Sequence, residues 1–401
     1  MFKKFLIPLL MFLYLYTLTF NIFMTNLIRI PSPIAFALPL VFLFRQKDYK
    51  FIYIRETFVF LITAMLLHLF ALESVKAFSV FMIITVSCSL YFNYFIGESK
   101  ERLKLSIRIF FALLVLSALI MVANHVEPAK IIVLRSLLVG EPVQQSPSGI
   151  TPWIFSFGFQ IAALTTFAVV ASAVYKRAIL FQAIVFTSAL TLLLLGMNRS
   201  AFLVFALAVG LFWLLYFRFK TVLIIGSLLC IAVVLKSEIA ALSTGRQQNI
   251  LAKNSNKINE NRSSLTIENL KIIEDYPLGI AFSGKTWNQV AIHNPAFRIG
   301  ETGLVTSHNG YLMFITYLGI VIGSLLLFLI YQNVFKIFIK VIKGLKDPDN
   351  ALLAALCFSL MAISVNSCFH NESLLAGSGP ILFLYFSVLH LSKIQSNEAL
   401  V

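Results

Sequence analysis

Arg199 stands in Leu195-Gly196-Met197-Asn198-Arg199-Ser200-Ala201, with long apolar runs on both sides and scarcely a turn of polar sequence around it. A guanidinium so near hydrocarbon is costly unless it is paired, hydrated or facing an anion. It is therefore either an arginine snorkelling from a helix end or a ligand for an anionic group. His308 lies in Thr306-Ser307-His308-Asn309-Gly310, where the longest polar stretch of the chain gives way to an apolar run. A neutral imidazole accepts a proton near neutral pH, and the carboxamide of Asn309 can orient it or a substrate, so the pair suits base catalysis on a hydroxyl. An incidental loop histidine is the other reading. Arg262 opens the more regular half of the same polar stretch, as a solvated surface arginine or a second anion ligand. His370, in Asn366-Ser367-Cys368-Phe369-His370-Asn371-Glu372, ends a later apolar run and is a candidate for orienting substrate or part of a helix-end polar cluster. His293 and His68 read as incidental, and Lys271, Lys285 and Arg298 as solvated cations.

Other chemistries lack their residues. The chain has no HExxH, no phosphate-binding Walker loop, no GxSxG and no pair of aspartates at metal spacing, so metal-dependent transfer has no visible ligands and no cofactor is expected. Cys88, Cys230 and Cys357 fall inside apolar runs and Cys368 near the end of another, which makes neither a disulfide framework nor a metal site.

The elements that must position these residues are membrane spans. With 59% hydrophobic and 12% charged residues over 401 positions, the chain carries about half the charge of a soluble protein. A hydrocarbon core of roughly 30 Å needs about 20 apolar residues per helix. Such runs recur at 5–25, 32–44, 56–72, 77–97, 105–123, 153–175, 178–197, 201–217, 221–240, 309–331, 351–369 and 375–391. The expectation is an all-α, polytopic integral membrane protein of twelve spans in a single membrane domain, the first of them an uncleaved span despite its signal-like start. Pro31, Pro33 and Pro39 make the second a tilted or broken helix.

The net charge of +15 marks orientation rather than a nucleic-acid site. With the N-terminus inside, nineteen of the 32 basic residues fall in inner segments, against five in the short outer ones. The bias puts both termini in the cytoplasm and the 236–309 loop outside. That loop holds eight basic and six acidic residues, so any anion binding falls to individual arginines. Its Ser237 to Asn261 portion, rich in Gln, Asn, Ser and Lys, reads as mobile. From Arg262, the spacing of Leu265, Ile267, Leu270, Ile272 and Ile273 predicts a short helix ended by Pro277 and turned by Gly279. His125 to Pro152 predicts an interfacial helix, with Lys130 and Arg135 among apolar residues, and then a turn-rich loop. Between Tyr331 and Lys346, Lys336, Lys340 and Lys343 share one helical face, which suits an interfacial helix on anionic headgroups or a partner's docking site.

Three of these features together resemble the O-antigen ligase and polymerase superfamily of bacterial envelope assembly: Arg199-Ser200-Ala201 between two central spans, an arginine heading a loop helix that ends Tyr276-Pro277-Leu278-Gly279, and His308-Asn309 followed by Gly319 and Gly323. The glycine pair is one residue wider than the usual ligase spacing. The resemblance covers about 178–331 and is architectural elsewhere. It implies glycosyl transfer without a metal from an undecaprenyl-pyrophosphate-linked glycan, on the periplasmic face of the inner membrane. Arg199 and Arg262 would hold the pyrophosphate and His308 would activate the acceptor hydroxyl. The partners it implies are that donor, the lipid A-core or a second lipid-linked glycan as acceptor, and the bilayer, with no nucleic acid. Ligation to lipid A-core is the first expectation and polymerisation of repeats the second. A transporter or flippase of lipid-linked glycan also suits twelve spans, but it would place ionisable residues at mid-span, whereas here they gather at the outer ends. A non-catalytic assembly scaffold is the remaining alternative.

Overall fold

Backbone groups in hydrocarbon have no water to bond, so each long apolar run must satisfy its own N–H and C=O groups as a helix. The computed structural model describes residues 2–20, 32–46, 50–143, 145–151, 154–223, 226–227, 234, 262–299, 303–370 and 379–398. Among these the only strands are β1 (Arg298–Ile299) and β2 (Gly303–Leu304), paired antiparallel. Seven helices among the described residues are long and apolar enough to cross a membrane: Ile54–Ala71, Val75–Ile96, Lys100–Val126, Phe155–Val174, Arg199–Phe217, Ile320–Lys343 and Pro348–Phe369. Three shorter apolar helices are Phe5–Phe20, Ser32–Leu43 and Ile179–Leu195. The protein is an all-α polytopic membrane protein. The expected span 221–240 and the expected mobile stretch 237–261 lie almost wholly or wholly outside the described residues.

The helices bearing on the site are numbered as follows. They are α1 (Phe2–Phe20), α2 (Ser32–Leu43), α3 (Ile54–Ala64, continued by a π-helical turn at Met65–Ala71), α4 (Val75–Leu90, continued likewise by Tyr91–Ile96), α5 (Lys100–Val126), α6 (Pro128–Val139), α7 (Ile154–Val174), α8 (Ile179–Leu195) and α9 (Arg199–Phe217). After the loop come α10 (Arg262–Asp275), α11 (Trp287–Ala291), α12 (Gly310–Leu318), α13 (Ile320–Lys343), α14 (Ala351–Asn366) and α15 (Gly379–Glu398). The chain divides into two compact units, one of Met1–Phe110, Glu260–Lys336 and Ser367–Val401, the other of Phe111–Asn259 and Ile337–Asn366.

In the first unit α1 packs on α2 and α15, and α4 on α2, α3 and α15. Phe60, Phe92, Tyr385 and Phe386 interleave there as ring pairs. His390 is fully buried between Tyr53 and the carbonyl of Gly97, 2.6 Å from its Nε2. A carbonyl only accepts, so Nε2 carries the proton and the Tyr53 hydroxyl donates to Nδ1. In the second unit α7 is central, packed by α8, α9 and α14 through Phe157, Ile161, Leu193, Ala201 and Phe205.

Three expectations change. The apolar run 309–331 is not one span: Gly319, at φ +82°, separates α12 from α13. The lysine-bearing stretch is not a separate interfacial helix but the last turns of the 24-residue α13; a rise of 1.5 Å per residue makes such a helix about 36 Å long, more than the hydrocarbon needs. The expected amphipathic helix forms as α6, but its Arg135 turns inward. Its Val133 and Leu137 are exposed, while Arg135 has no exposed surface. Arg135 Nε donates to the carbonyl of Gly149 at 3.0 Å, and its terminal nitrogens donate to Asn124 Oδ1, to the Gln145 and Thr151 carbonyls and to the Ser148 hydroxyl. Burial pulls its pKa down to about 10, which leaves it cationic at neutral pH.

Candidate functional site

His308 is positioned by the helix that follows it. Asn309 has extended backbone angles and caps α12, its Oδ1 accepting the Leu312 N–H at 3.0 Å. That satisfies one of the orphan donors of the first turn and leaves the carboxamide nitrogen as the group able to meet a substrate. His308, one residue earlier, has φ +53°. A left-handed backbone is costly for a residue with a Cβ, and such strain collects at functional sites. Ser307, before it, is buried, and its hydroxyl has no protein partner. A buried hydroxyl in that state is where an ordered water or a substrate hydroxyl gains most by binding.

Arg262 begins α10, the helix expected from the loop's periodicity. One of its terminal nitrogens lies 3.4 Å from the carbonyl of Phe369, the last residue of a 3-10 turn at Ser367–Phe369. The next residue is His370, which is buried. α12 packs against both α10 and the Ser367–Phe369 turn. The first unit therefore holds Arg262, His308, Asn309 and His370 on elements that pack against α12 or head it. Arg199 belongs to the second unit. It is exposed at the first position of α9, behind Asn198, whose Oδ1 accepts the Ala201 N–H at 3.1 Å.

The ordered half of the loop is a small packed structure. Leu265, Ile272, Ile280, Trp287, Ala291 and Phe297 enclose Met313 of α12. Asn269 is fully buried and accepts from the Thr316 hydroxyl at 2.5 Å. Outside this core, Glu268 accepts from Lys271 Nζ at 2.7 Å and from Asn294 Nδ2 at 2.9 Å, joining α10 to the segment before β1. The Lys271 ammonium, then the Asn294 amide, hold the Glu268 carboxyl below the usual carboxylate range. His293 and Arg298 are exposed. Among the described residues no three His, Cys, Asp or Glu side chains converge where they could hold a metal.

The sequence did not mark Asn269 or the closeness of Arg262 to His370. Asn269 was legible in part, as the one polar residue on the apolar face of α10. The second pairing joins residues more than a hundred positions apart, and no local pattern records it.

The fold is that of a polytopic helical membrane protein in which the helix begun by Arg262 packs on the helix headed by His308 and Asn309, with the Arg262 guanidinium 3.4 Å from the carbonyl of Phe369, next to His370. Residues 183–328 match a family profile described as O-antigen ligase. That segment, which contains Arg199, Arg262, His308 and Asn309, supports a likeness to the O-antigen ligase and polymerase superfamily, whose members are glycosyltransferase-like enzymes of O-antigen processing. No curated protein matches the chain.

Proposed function

We propose that the protein is an O-antigen ligase that transfers a glycan from undecaprenyl pyrophosphate to the lipid A-core at the outer face of the bacterial inner membrane, without a metal. The observation that carries this reading is the packing of the Arg262 helix on the helix headed by His308 and Asn309, inside the segment that matches the family. The acceptor oxygen attacks the anomeric carbon as the bond from that carbon to the pyrophosphate breaks. His308 takes the hydroxyl proton, and the electron pair leaves with undecaprenyl pyrophosphate. Arg262 neutralises that growing charge through charge-assisted hydrogen bonds, which need no metal. Asn309 and His370 orient the substrates.

A second reading is polymerisation of lipid-linked repeats, which shares the architecture, donor and arginines of a ligase and differs in its acceptor. Deleting the gene and running the lipopolysaccharide on a gel separates the two. Loss of all O-antigen with lipid-linked polymer accumulating marks a ligase, and core bearing a single repeat marks a polymerase. In a reconstituted assay with lipid-linked glycan and lipid A-core, transfer persists in chelator and falls about 10²–10⁴-fold in His308→Ala. Full activity in that variant removes His308 from the chemistry, and movement of glycan between leaflets without a new bond makes the protein a flippase.

A further inference from the structure

The two glycines that sit in separate motifs of the sequence meet in the structure. Gly279, in the turn after α10, has φ +97°, and Gly319, between α12 and α13, has φ +82°. A Cβ on Gly279 would lie 2.5 Å from Gly319 N and 2.5 Å from the Tyr317 carbonyl oxygen. One on Gly319 would strike the carbonyl group of Leu278 and lie 2.9 Å from Gly279 N. Both neighbours are backbone, which has no rotamer with which to move aside. Main-chain hydrogen bonds cross the contact on both sides: Ile280 N–H to Thr316 O at 3.0 Å, Ala281 N–H to Tyr317 O at 3.3 Å, and Ile320 N–H to Pro277 O at 2.9 Å. Each partner is tied to one end of the candidate site, since Gly279 ends the segment begun by Arg262 and Gly319 ends the helix headed by His308 and Asn309.

We infer that Gly279 and Gly319 are positioning residues, forming a side-chain-free joint that fixes the Arg262 helix against the His308 helix. This rests on the transfer reading above for its catalytic consequence but not for its geometry. The joint also separates the two motif glycines in role. A Cβ at Gly323 would lie 3.2 Å from Ile315 Cα, so an alanine there needs a shift of only a few tenths of an ångström. Gly284 supplies a control in the same loop, because it has φ +65° but nothing within 4 Å of a built Cβ. Gly284→Ala introduces the backbone strain without the collision.

The test uses the full-length protein in detergent with Gly279→Ala, Gly319→Ala and Gly284→Ala variants. Hydrogen exchange at Ile280, Ala281 and Ile320 reads the joint directly, and exchange in α14, in the other unit, shows whether the rest of the protein remains folded. The expected result is exchange about tenfold faster at those three amides in the first two variants, unchanged in Gly284→Ala, with α14 protected throughout. Transfer falls about tenfold or more in the same two variants, and the rate loses its dependence on pH through the histidine range because the base is displaced. A variant that merely has fewer folded molecules keeps the parent pH profile at lower amplitude, and that profile overturns the positioning role. Unchanged exchange in Gly319→Ala, or equal damage from Gly284→Ala, overturns the joint itself. If the parent transfers no glycan, the transfer reading fails while the exchange measurement still decides the joint.

Discussion

At the scale of single residues, His308 bears two demands that oppose each other. Its imidazole is assigned the chemistry, while its backbone at φ +53° suits glycine better than any side chain. The two are separable because His308→Ala and His308→Gly both remove the imidazole and differ only in tolerance of that backbone. The glycine variant is expected to be more stable than the alanine variant by about 1 kcal/mol, with transfer lost equally in both. Thermal melting alongside the transfer assay checks this, and equal stabilities would mean that the strain is relieved elsewhere. Asn309 and Arg135 show two ways in which polar residues were legible. Asn309 was readable because a cap is a local pattern, an Asn just ahead of an apolar run. Arg135 was not, since a period of 3.6 shows which residues share a face but not which face turns inward. In a membrane protein the apolar face can look outward, as Val133 and Leu137 do.

At the scale of elements, the ordered half of the loop is held by an apolar core around Met313 and by the polar contacts of Glu268. The carboxyl of Glu268 is depressed in the folded state by Lys271 and Asn294, so its contribution is present above the unfolded carboxylate pKa and is lost as pH falls through the folded value. Lys271 is exposed and Glu268 partly so, and screening by solvent keeps the effect small. With Trp153 and Trp213 replaced by Phe, the fluorescence of Trp287 reports this core alone. Its denaturation midpoint should fall as the pH is lowered from neutrality into the carboxylate range, and Glu268→Gln should flatten that dependence. A slope that survives in Glu268→Gln assigns the effect to another acid. Helix extents were legible here because length and hydropathy fix them: Ile54–Ala71 and Lys100–Val126 lie over expected spans. The break at Gly319 was not, because a single glycine in an apolar run is as compatible with a continuous helix. What decides it is a turn at Gly279, forty positions earlier, that a continuous helix would exclude.

For the whole molecule, the strongest sequence-level constraint is charge. Nineteen basic residues against five in short loops predict one orientation, since cytoplasmic segments retain Lys and Arg during insertion. The assignment of His308 depends on it, since a donor on the outer leaflet is of no use to a base on the inner side. Lys346, exposed beyond the end of α13, and Gly284, in the open turn of the ordered loop, should therefore lie on opposite sides of the membrane. The four native cysteines are first replaced, because Cys368 is only partly covered. A single cysteine at 284 should then react with a membrane-impermeant maleimide in intact spheroplasts. A single cysteine at 346 should react only after permeabilisation. The reverse pattern would put the loop in the cytoplasm, and no choice of sugar or acceptor would then rescue transfer at the outer face. Labelling at 346 in intact cells together with labelling at 284 would instead mean that the stretch from Gly310 to Lys343 does not cross the bilayer. The break at Gly319 leaves α12, at nine residues, too short to span by itself. The 24 residues of α13 can span unaided, so the two sites are expected on opposite sides whether α12 enters the bilayer or lies above it.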